Sequence, residues 1–144
     1  MQQFEKTGKT ISDELAQKIA STVKCHSYYV QQLSHLVWQR TGESVDENIL
    51  ASALNDLLDQ NNMLYQRETE RLSETQFNFM KALASDVTEG FSNKEIIQKY
   101  KLGTSANVSK MKKALVDKEF IEVTGKSASF LDPAFELWFI RELL

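Results

Sequence analysis

A short stretch in the second half of the sequence carries the side chains best suited to meeting an anionic partner. Lysine ammonium groups neutralise phosphates, and serine and asparagine side chains both donate and accept hydrogen bonds, as the edges of nucleic-acid bases require. The candidate side chains are Ser105, Asn107, Ser109, Lys110, Lys113 and Lys126. They predict contacts to DNA, with the lysines on phosphates and with Asn107 and Ser109 at base edges. For Lys110, and for Lys112 and Lys113 beside it, an ordinary solvated helix face is as good an explanation as phosphate contact.

Hydrophobic periodicity places most of these candidates on a single helix. Val108, Met111 and Leu115 recur at spacings of three and four, so they share one buried face. Thr104 or Ser105 is expected to cap this helix. The opposite face is small, hydroxylated or basic, which suits a helix that contacts nucleic acid.

A shorter helix is predicted just before it. Ser92 and Glu95 have the spacing of a capping box, and Phe91 with Ile96 supplies the hydrophobic staple that often accompanies one. The helix is expected to stop before Gly103, which can adopt a positive φ at the turn. Two helices joined by such a turn form a helix-turn-helix, whose second helix can enter the major groove of DNA.

The flanking sequence extends this motif to a winged helix. Residues 120–124 alternate like a strand, residues 125–127 suit a turn, and residues 128–131 can return as a second strand. Upstream, residues 72–77 contain another capping box and open a further helix. Glu119 stands where the chain leaves the second helix of the motif, and we expect it to adopt a left-handed conformation.

The sequence ends in a segment that is apolar on nearly every side. Asp132 is expected to cap this final helix and Pro133 to occupy its first turn. A helix that is apolar all round should be buried on most sides. We therefore expect it in a groove between the two halves of the chain, with Trp138 near their junction.

Composition excludes several classes of protein. The chain has 144 residues, of which 42% are hydrophobic and 26% charged, as in ordinary globular domains. No apolar run approaches the roughly 20 residues of a membrane span, so no membrane partner is expected. The single cysteine, Cys25, excludes an internal disulfide; we expect a buried thiol and a cytoplasmic location.

Charge is distributed unevenly along the chain. Residues 1–90 carry 8 Lys and Arg against 13 Asp and Glu, whereas residues 91–126 carry 8 against 4. A mildly basic region behind an acidic one permits attraction to phosphate. The balance is far less basic than that of a tight, free-standing DNA-binding domain.

The first half of the chain predicts a helical bundle. We assign residues 1–71 to this bundle and residues 72–144 to the winged-helix domain, with the charged segment 66–71 as their connection. The Tyr28–Tyr29 pair is expected in the core of the bundle. The expected starts of its three helices are Thr10 or Ser12, His26 or Ser27, and a capping box of Ser44 with Glu47.

An ordered series of motifs resembles the carboxy-terminal half of a family of prokaryotic P-loop ATPases of the AAA+/STAND kind. The series consists of residues 26–33 (HSYYVQQL), 37–38 (VW), the helix at 72–83, the helix-turn-helix, and residues 131–138 (LDPAFELW). In that family a nucleotide-binding core comes first, then a helical lid, then a winged helix. This chain resembles the lid and the winged helix only. The resemblance implies that His26 and Ser27 face the nucleotide, although the family tends to have proline at the second position.

The motif that holds ATP phosphates is missing from the sequence. Gly8-Lys9-Thr10 ends like a P-loop, but Gln3 stands where its first glycine is required. No apolar strand ends in an acidic pair for magnesium. We therefore expect no catalytic residue, no metal site and no cofactor in this chain, with ATP and magnesium confined to a full-length parent.

These observations predict a non-catalytic regulatory region. Its lid would close on nucleotide held by an ATPase core, and its winged helix would bind DNA or a protein partner. One alternative is an autonomous winged-helix transcription regulator, which would have to dimerise. Another is a protein-interaction scaffold that binds no nucleic acid.

Overall fold

The computed structural model describes residues 8–42 and 46–144. The chain divides into two compact units, residues 1–62 and 63–144. The division falls ahead of the boundary at 71/72 that the sequence predicts. Eight helices and one two-stranded antiparallel hairpin occur within the described residues, which confirms the mainly helical class.

The described residues of the first unit form three helices: α1 (Asp13–Thr22), α2 (Ser27–Arg40) and α3 (Glu47–Gln60). Ser12 caps α1, since its hydroxyl accepts a hydrogen bond from the Leu15 N–H at 3.2 Å. Helix α2 begins at Ser27, directly after His26. The predicted starts of both helices are therefore confirmed. Helix α2 packs against both α1 and α3. The buried apolar side chains of this unit include Ile19, Val23, Leu33, Val37, Leu50, Ala53 and Leu57.

Other expectations for the first unit need correction. Helix α3 is capped by Asp46, whose carboxylate accepts a backbone hydrogen bond of 2.8 Å, while Ser44 lies outside the described residues. Tyr29 is buried but Tyr28 is 58% exposed, because neighbouring residues on a helix point about 100° apart. Cys25 is exposed as well, in a turn where its φ is 58°.

The second unit begins with a helix that the sequence does not predict. The charged segment 66–71 belongs mostly to α4 (Asn62–Glu70), so it is not an extended connection. Tyr65 is the buried residue of this helix. At its end, Arg71 pairs with Glu68 at 2.6 Å, a spacing of three residues that supports the last turn.

Helix α5 (Glu74–Ala84) opens with the predicted capping box. The Ser73 hydroxyl accepts from the Gln76 N–H at 3.2 Å, and the Gln76 side-chain oxygen accepts from the Ser73 N–H at 3.0 Å. Two backbone donors at the helix start are thereby satisfied reciprocally. This prediction is confirmed.

Helix α6 (Lys94–Tyr100) begins differently from the prediction. Its cap is Asn93, whose side chain makes no capping hydrogen bond, so the Ser92–Glu95 capping box is wrong. Ser92 stands one residue too early for a helix that begins at Lys94. Phe91 is buried nonetheless and stacks on Phe79 of α5, with ring centroids 4.2 Å apart.

A tight turn joins α6 to α7 (Ser105–Asp117). Lys101 has left-handed backbone angles (φ 56°, ψ 55°), Leu102 is fully buried, and Gly103 has a φ of 90°. Thr104 then caps α7 through its hydroxyl. The predicted helix-turn-helix is therefore present.

The hairpin comprises β1 (Ile121–Thr124) and β2 (Ser127–Phe130), which pair antiparallel. Gly125 opens the connecting turn with a φ of 62°. On the other side of β2, the Ala128 N–H donates to the Thr88 carbonyl oxygen at 2.8 Å. This bond holds the segment that follows α5 against the wing, and the order of elements is that of a winged helix.

Two cations join the start of α5 to the end of α7. The Lys118 ammonium donates to the Arg71 carbonyl oxygen at 2.9 Å and to the Gln76 side-chain oxygen at 3.0 Å. The Arg71 guanidinium donates to the Lys118 carbonyl oxygen at 3.4 Å and lies 5.2 Å from the Phe120 ring centroid. Glu119, which lies between Lys118 and Phe120 in the sequence, has a φ of 65°, as predicted. We call Arg71, Gln76, Lys118, Glu119 and Phe120 the junction.

Helix α8 (Pro133–Leu143) closes the core of the second unit. Asp132 caps it by accepting from two backbone N–H groups at 2.9 and 3.0 Å, as predicted. Trp138 is 2% exposed, which confirms its burial. Its ring lies 5.6 Å from Tyr65 and 5.9 Å from Phe135, both in the same unit. The expectation that Trp138 also lies where the two halves of the chain meet stays a prediction.

Candidate nucleic-acid interface

Helix α7 presents a polar face to solvent. Its buried residues are Val108, Met111 and Leu115, the three that periodicity selects. Five of the six candidate DNA-contacting side chains lie on α7, and all five are exposed: Ser105, Asn107, Ser109, Lys110 and Lys113. We call these five residues the α7 face.

The α7 face has a centre and an edge. At about 100° per residue, Ser109, Lys110 and Lys113 lie on the arc opposite the buried stripe. Asn107 lies at the edge towards α5, where it lines a shallow depression with Gln76. Lysines beside a small hydroxyl suit contact with a phosphate backbone next to a base edge.

The lysines of α7 are not equivalent. Lys110 and Lys113 are exposed, and neither forms an ion pair with any carboxylate that the structure describes. The ammonium of Lys112 instead lies 5.4 Å from the Phe91 ring centroid. The one carboxylate of the helix is Asp117, at its last residue. The first three turns of α7 are therefore free of negative side chains.

The sixth candidate, Lys126, lies at the tip of the wing. It is exposed, and together with Gly125 it forms the two-residue turn between β1 and β2. The base of the wing is attached to α7 by a hydrogen bond of 2.9 Å from the Phe120 N–H to the Leu115 carbonyl oxygen. Lys126 and the α7 face thus belong to one folded unit.

The two residues expected to face a nucleotide lie at the start of α2 in the first unit. His26 is the residue before the helix and makes no side-chain capping bond, and Ser27 is its first residue; both are exposed. The His26 ring packs 4.9 Å from Tyr29. One imidazole and one hydroxyl do not by themselves form a nucleotide site.

A group of residues that the sequence analysis does not single out lines a second depression, of about 230 Å³, between α5 and α6. It consists of Asn78, Lys81, Lys99, Tyr100 and Lys101, which we call the basic groove. Its members come from two helices about 20 residues apart. The available sequence signal was weak: Asn78 and Lys81 are three residues apart, and two lysines flank the end of α6.

A third depression, of about 210 Å³, has the opposite character. It is lined by Leu64, Tyr65, Glu68, Glu119, Phe120, Asp132 and Phe135, which we call the acidic cavity. Two of its carboxylates have structural partners, since Glu68 pairs with Arg71 and Asp132 caps α8. These contacts account for Glu68 and Asp132 without a ligand.

Two features are absent from the described residues. No three His, Cys, Asp or Glu residues in 8–42 and 46–144 are grouped so that they could hold a metal ion. None of the helices in these ranges is long and apolar enough to cross a membrane.

Comparison with known proteins agrees with the fold of the second unit. Neither the curated proteins nor the solved structures gave a match. A family model described as "Probable winged helix domain" matches residues 63–141, which is more than half of the 144-residue chain and begins where the second unit begins. The match includes α4 apart from its first residue, and it includes the α7 face and the wing. The chain belongs to this winged-helix family.

Proposed function

We propose that the winged-helix unit binds double-stranded DNA, with α7 in the major groove and the wing on the flanking backbone. The observation that carries this proposal is the α7 face, where exposed lysines without an ion pair to any described carboxylate lie between hydroxyl and amide groups. Lys110, Lys113 and Lys126 would contact phosphates. Ser105, Asn107 and Ser109 would contact base edges or sugars.

The charge of the unit sets the expected strength of binding. Residues 63–144 contain 12 Lys and Arg and 12 Asp and Glu, so their net charge is zero. Without a long-range positive field, attraction depends on local phosphate contacts. Three such contacts contribute about −2.7 to the salt slope, which is the change in log affinity with log salt concentration. We therefore expect modest affinity that falls as salt is added.

The test is a fluorescence anisotropy titration of the full chain with a labelled duplex at several salt concentrations. The double variant Lys110→Ala/Lys113→Ala should reduce the magnitude of the salt slope by about two units. Lys18→Ala/Arg67→Ala removes the same charge outside α7 and the wing, so its slope should stay unchanged. An unchanged affinity and salt slope for Lys110→Ala/Lys113→Ala would overturn the assignment of DNA contacts to the α7 face. A wild-type chain that binds no duplex would favour the protein-interaction scaffold.

We further propose that the chain is a non-catalytic lid and winged-helix region of an AAA+/STAND ATPase. The support is the sequence resemblance together with the order of a helical unit before a winged helix. His26 and Ser27 would approach a nucleotide held by an ATPase core, and ATP and magnesium would belong to that core. No step of nucleotide chemistry is assigned to this chain, because it has no P-loop.

A turnover assay tests the second proposal. The purified chain with ATP and magnesium should release no phosphate above the blank. Activity that persists through repurification would overturn it. An autonomous regulator instead predicts a dimer in solution, which sedimentation of the full chain would reveal.

A further inference from the structure

The basic groove places three lysines around one concave surface that the α7 face does not include. Lys81 comes from α5, while Lys99 and Lys101 come from the end of α6. A hydrogen bond of 3.4 Å from the Asn78 amide to the Lys101 carbonyl oxygen joins the two helices across the groove. The groove is therefore held in shape by contacts within the fold.

The lysines of this groove form no ion pair with the carboxylates that the structure describes. No carboxylate lines the groove among the described residues. The Lys81 ammonium lies 5.6 Å from the Phe77 ring centroid, and that of Lys99 lies 5.4 Å from the Tyr100 ring centroid. Ring contacts of this kind are weak at accessible sites and leave ammonium protons free for an oxyanion.

The groove is close to the α7 face. The depression between α5 and α7, of about 260 Å³, is lined by Gln76, Asn107 and Lys110 among others, and again by no carboxylate that the structure describes. Asn107 lies against Gly103 in the α6–α7 turn, and Lys101 of the groove belongs to the same turn. A strip of neutral and basic side chains thus passes from α7 to the end of α6.

The backbone at Lys101 allows a structural role of this lysine to be separated from a binding role. Its left-handed angles suit glycine, which is the usual residue after a helix end. The following Leu102 is fully buried, so the turn is anchored by its neighbour and does not need the lysine side chain. A lysine here therefore lowers stability relative to glycine, as does a side chain at other described positions with a positive φ, such as Lys24 and Glu119.

We propose that the basic groove binds the phosphate backbone of DNA beyond the segment that α7 reads. The inference rests on the proposed DNA binding and extends its footprint over α5 and the end of α6. Lys81, Lys99 and Lys101 supply charge to the phosphate oxygens, and the Asn78 amide and the Tyr100 hydroxyl supply hydrogen-bond donors.

The first test compares lysine variants of the full chain on one labelled duplex of about 20 base pairs, long enough to extend past a single major-groove contact. Lys81→Ala/Lys99→Ala should reduce the magnitude of the salt slope by about two units, with Arg67→Ala as a control that leaves it unchanged. If this double variant keeps the wild-type slope while Lys110→Ala/Lys113→Ala loses two units, the groove inference falls and α7 binding stands. If the groove variant alone loses affinity, the inference stands and the role of α7 falls.

The second test uses the strain at Lys101, because a structural and a ligand-binding role predict different results. Lys101→Gly should raise the melting temperature by about 4 °C. It should also weaken DNA binding by roughly fivefold to tenfold at 0.1 M salt, the loss expected for one phosphate contact. Lys24→Gly makes the same change at another left-handed position, in the first unit (φ 51°), and should leave DNA affinity unchanged. A Lys101→Gly variant that melts higher and binds DNA as tightly as the wild type would overturn the inference.

Discussion

The winged-helix unit contains two sets of cations that differ in what surrounds them. At the junction, Arg71 and Lys118 donate to each other's carbonyl oxygens. On the α7 face, Lys110 and Lys113 have no ion pair with a described carboxylate and are exposed. The contrast shows that a count of basic residues overstates the positive charge available to a ligand. Some of these cations already donate hydrogen bonds within the fold.

The largest stability effect is expected beside the junction, in the aromatic core. Trp138→Ala should lower the free energy of unfolding by about 3 to 5 kcal/mol, because it leaves a cavity beside Tyr65 and Phe135. Chemical denaturation measures the loss. Ile140→Ala on the same helix is the control, since Ile140 is 41% exposed and should lose much less. Equal losses would show that α8 is not packed as described.

Lys118→Met should have the next largest effect. It leaves the Arg71 carbonyl oxygen without the ammonium donor and removes one donor from Gln76, so we expect a loss of about 1 to 2 kcal/mol. The salt slope of DNA binding, measured on the folded fraction, should not change. Lys94→Met replaces an exposed lysine and should leave stability nearly unchanged. A change in salt slope for Lys118→Met would erase the distinction between the two sets of cations.

Glu119→Gly should stabilise the unit by about 1 kcal/mol, because glycine adopts a φ of 65° without steric strain. Thermal or chemical unfolding would show the gain. Glu119→Ala removes the same carboxylate but keeps a Cβ atom, so it separates the backbone effect from the charge effect. An equal gain from both variants would assign the effect to charge in the acidic cavity.

The smallest stability effect is expected on the α7 face. Lys110→Ala and Lys113→Ala should each change the free energy of unfolding by no more than about 0.5 kcal/mol, since both side chains are exposed and neither has an ion pair with a described carboxylate. Calorimetry of the two variants checks this. A loss above 1 kcal/mol at either position would mean that the lysine supports the fold, and it would weaken the case for a free binding surface.

Local patterns predicted the parts of this fold that depend on neighbours in sequence. The buried stripe of α7, the Ser73–Gln76 capping box and the Asp132 cap all follow from spacings of four residues or fewer. The predicted capping residue of α6 was wrong by one position, because Ser92 and Asn93 are both residue types that cap helices. Helix α4 was missed, since a charged helix with the single buried residue Tyr65 shows no apolar stripe.

The contacts that define the junction and the basic groove could not be predicted in this way. Arg71 and Lys118 are 47 positions apart, and Asn78 and Lys101 are 23 apart. Which lysine is paired and which is exposed depends on how the helices cross, and a single sequence does not record that. The six DNA-contacting candidates remain predictions, although the fold places all of them on the surface of one unit.

The side-chain oxygen of Gln76 accepts from the Ser73 N–H and from the Lys118 ammonium at once, both at 3.0 Å. An isolated capping box can open and close with the fraying of its own helix. This one is also held by the residue that ends α7, so the first turn of α5 cannot fray without releasing the end of the proposed recognition helix. Amide hydrogens at the two helix ends should therefore exchange with solvent through one shared opening event. A partner that binds the end of α7 would then slow amide hydrogen exchange at the start of α5.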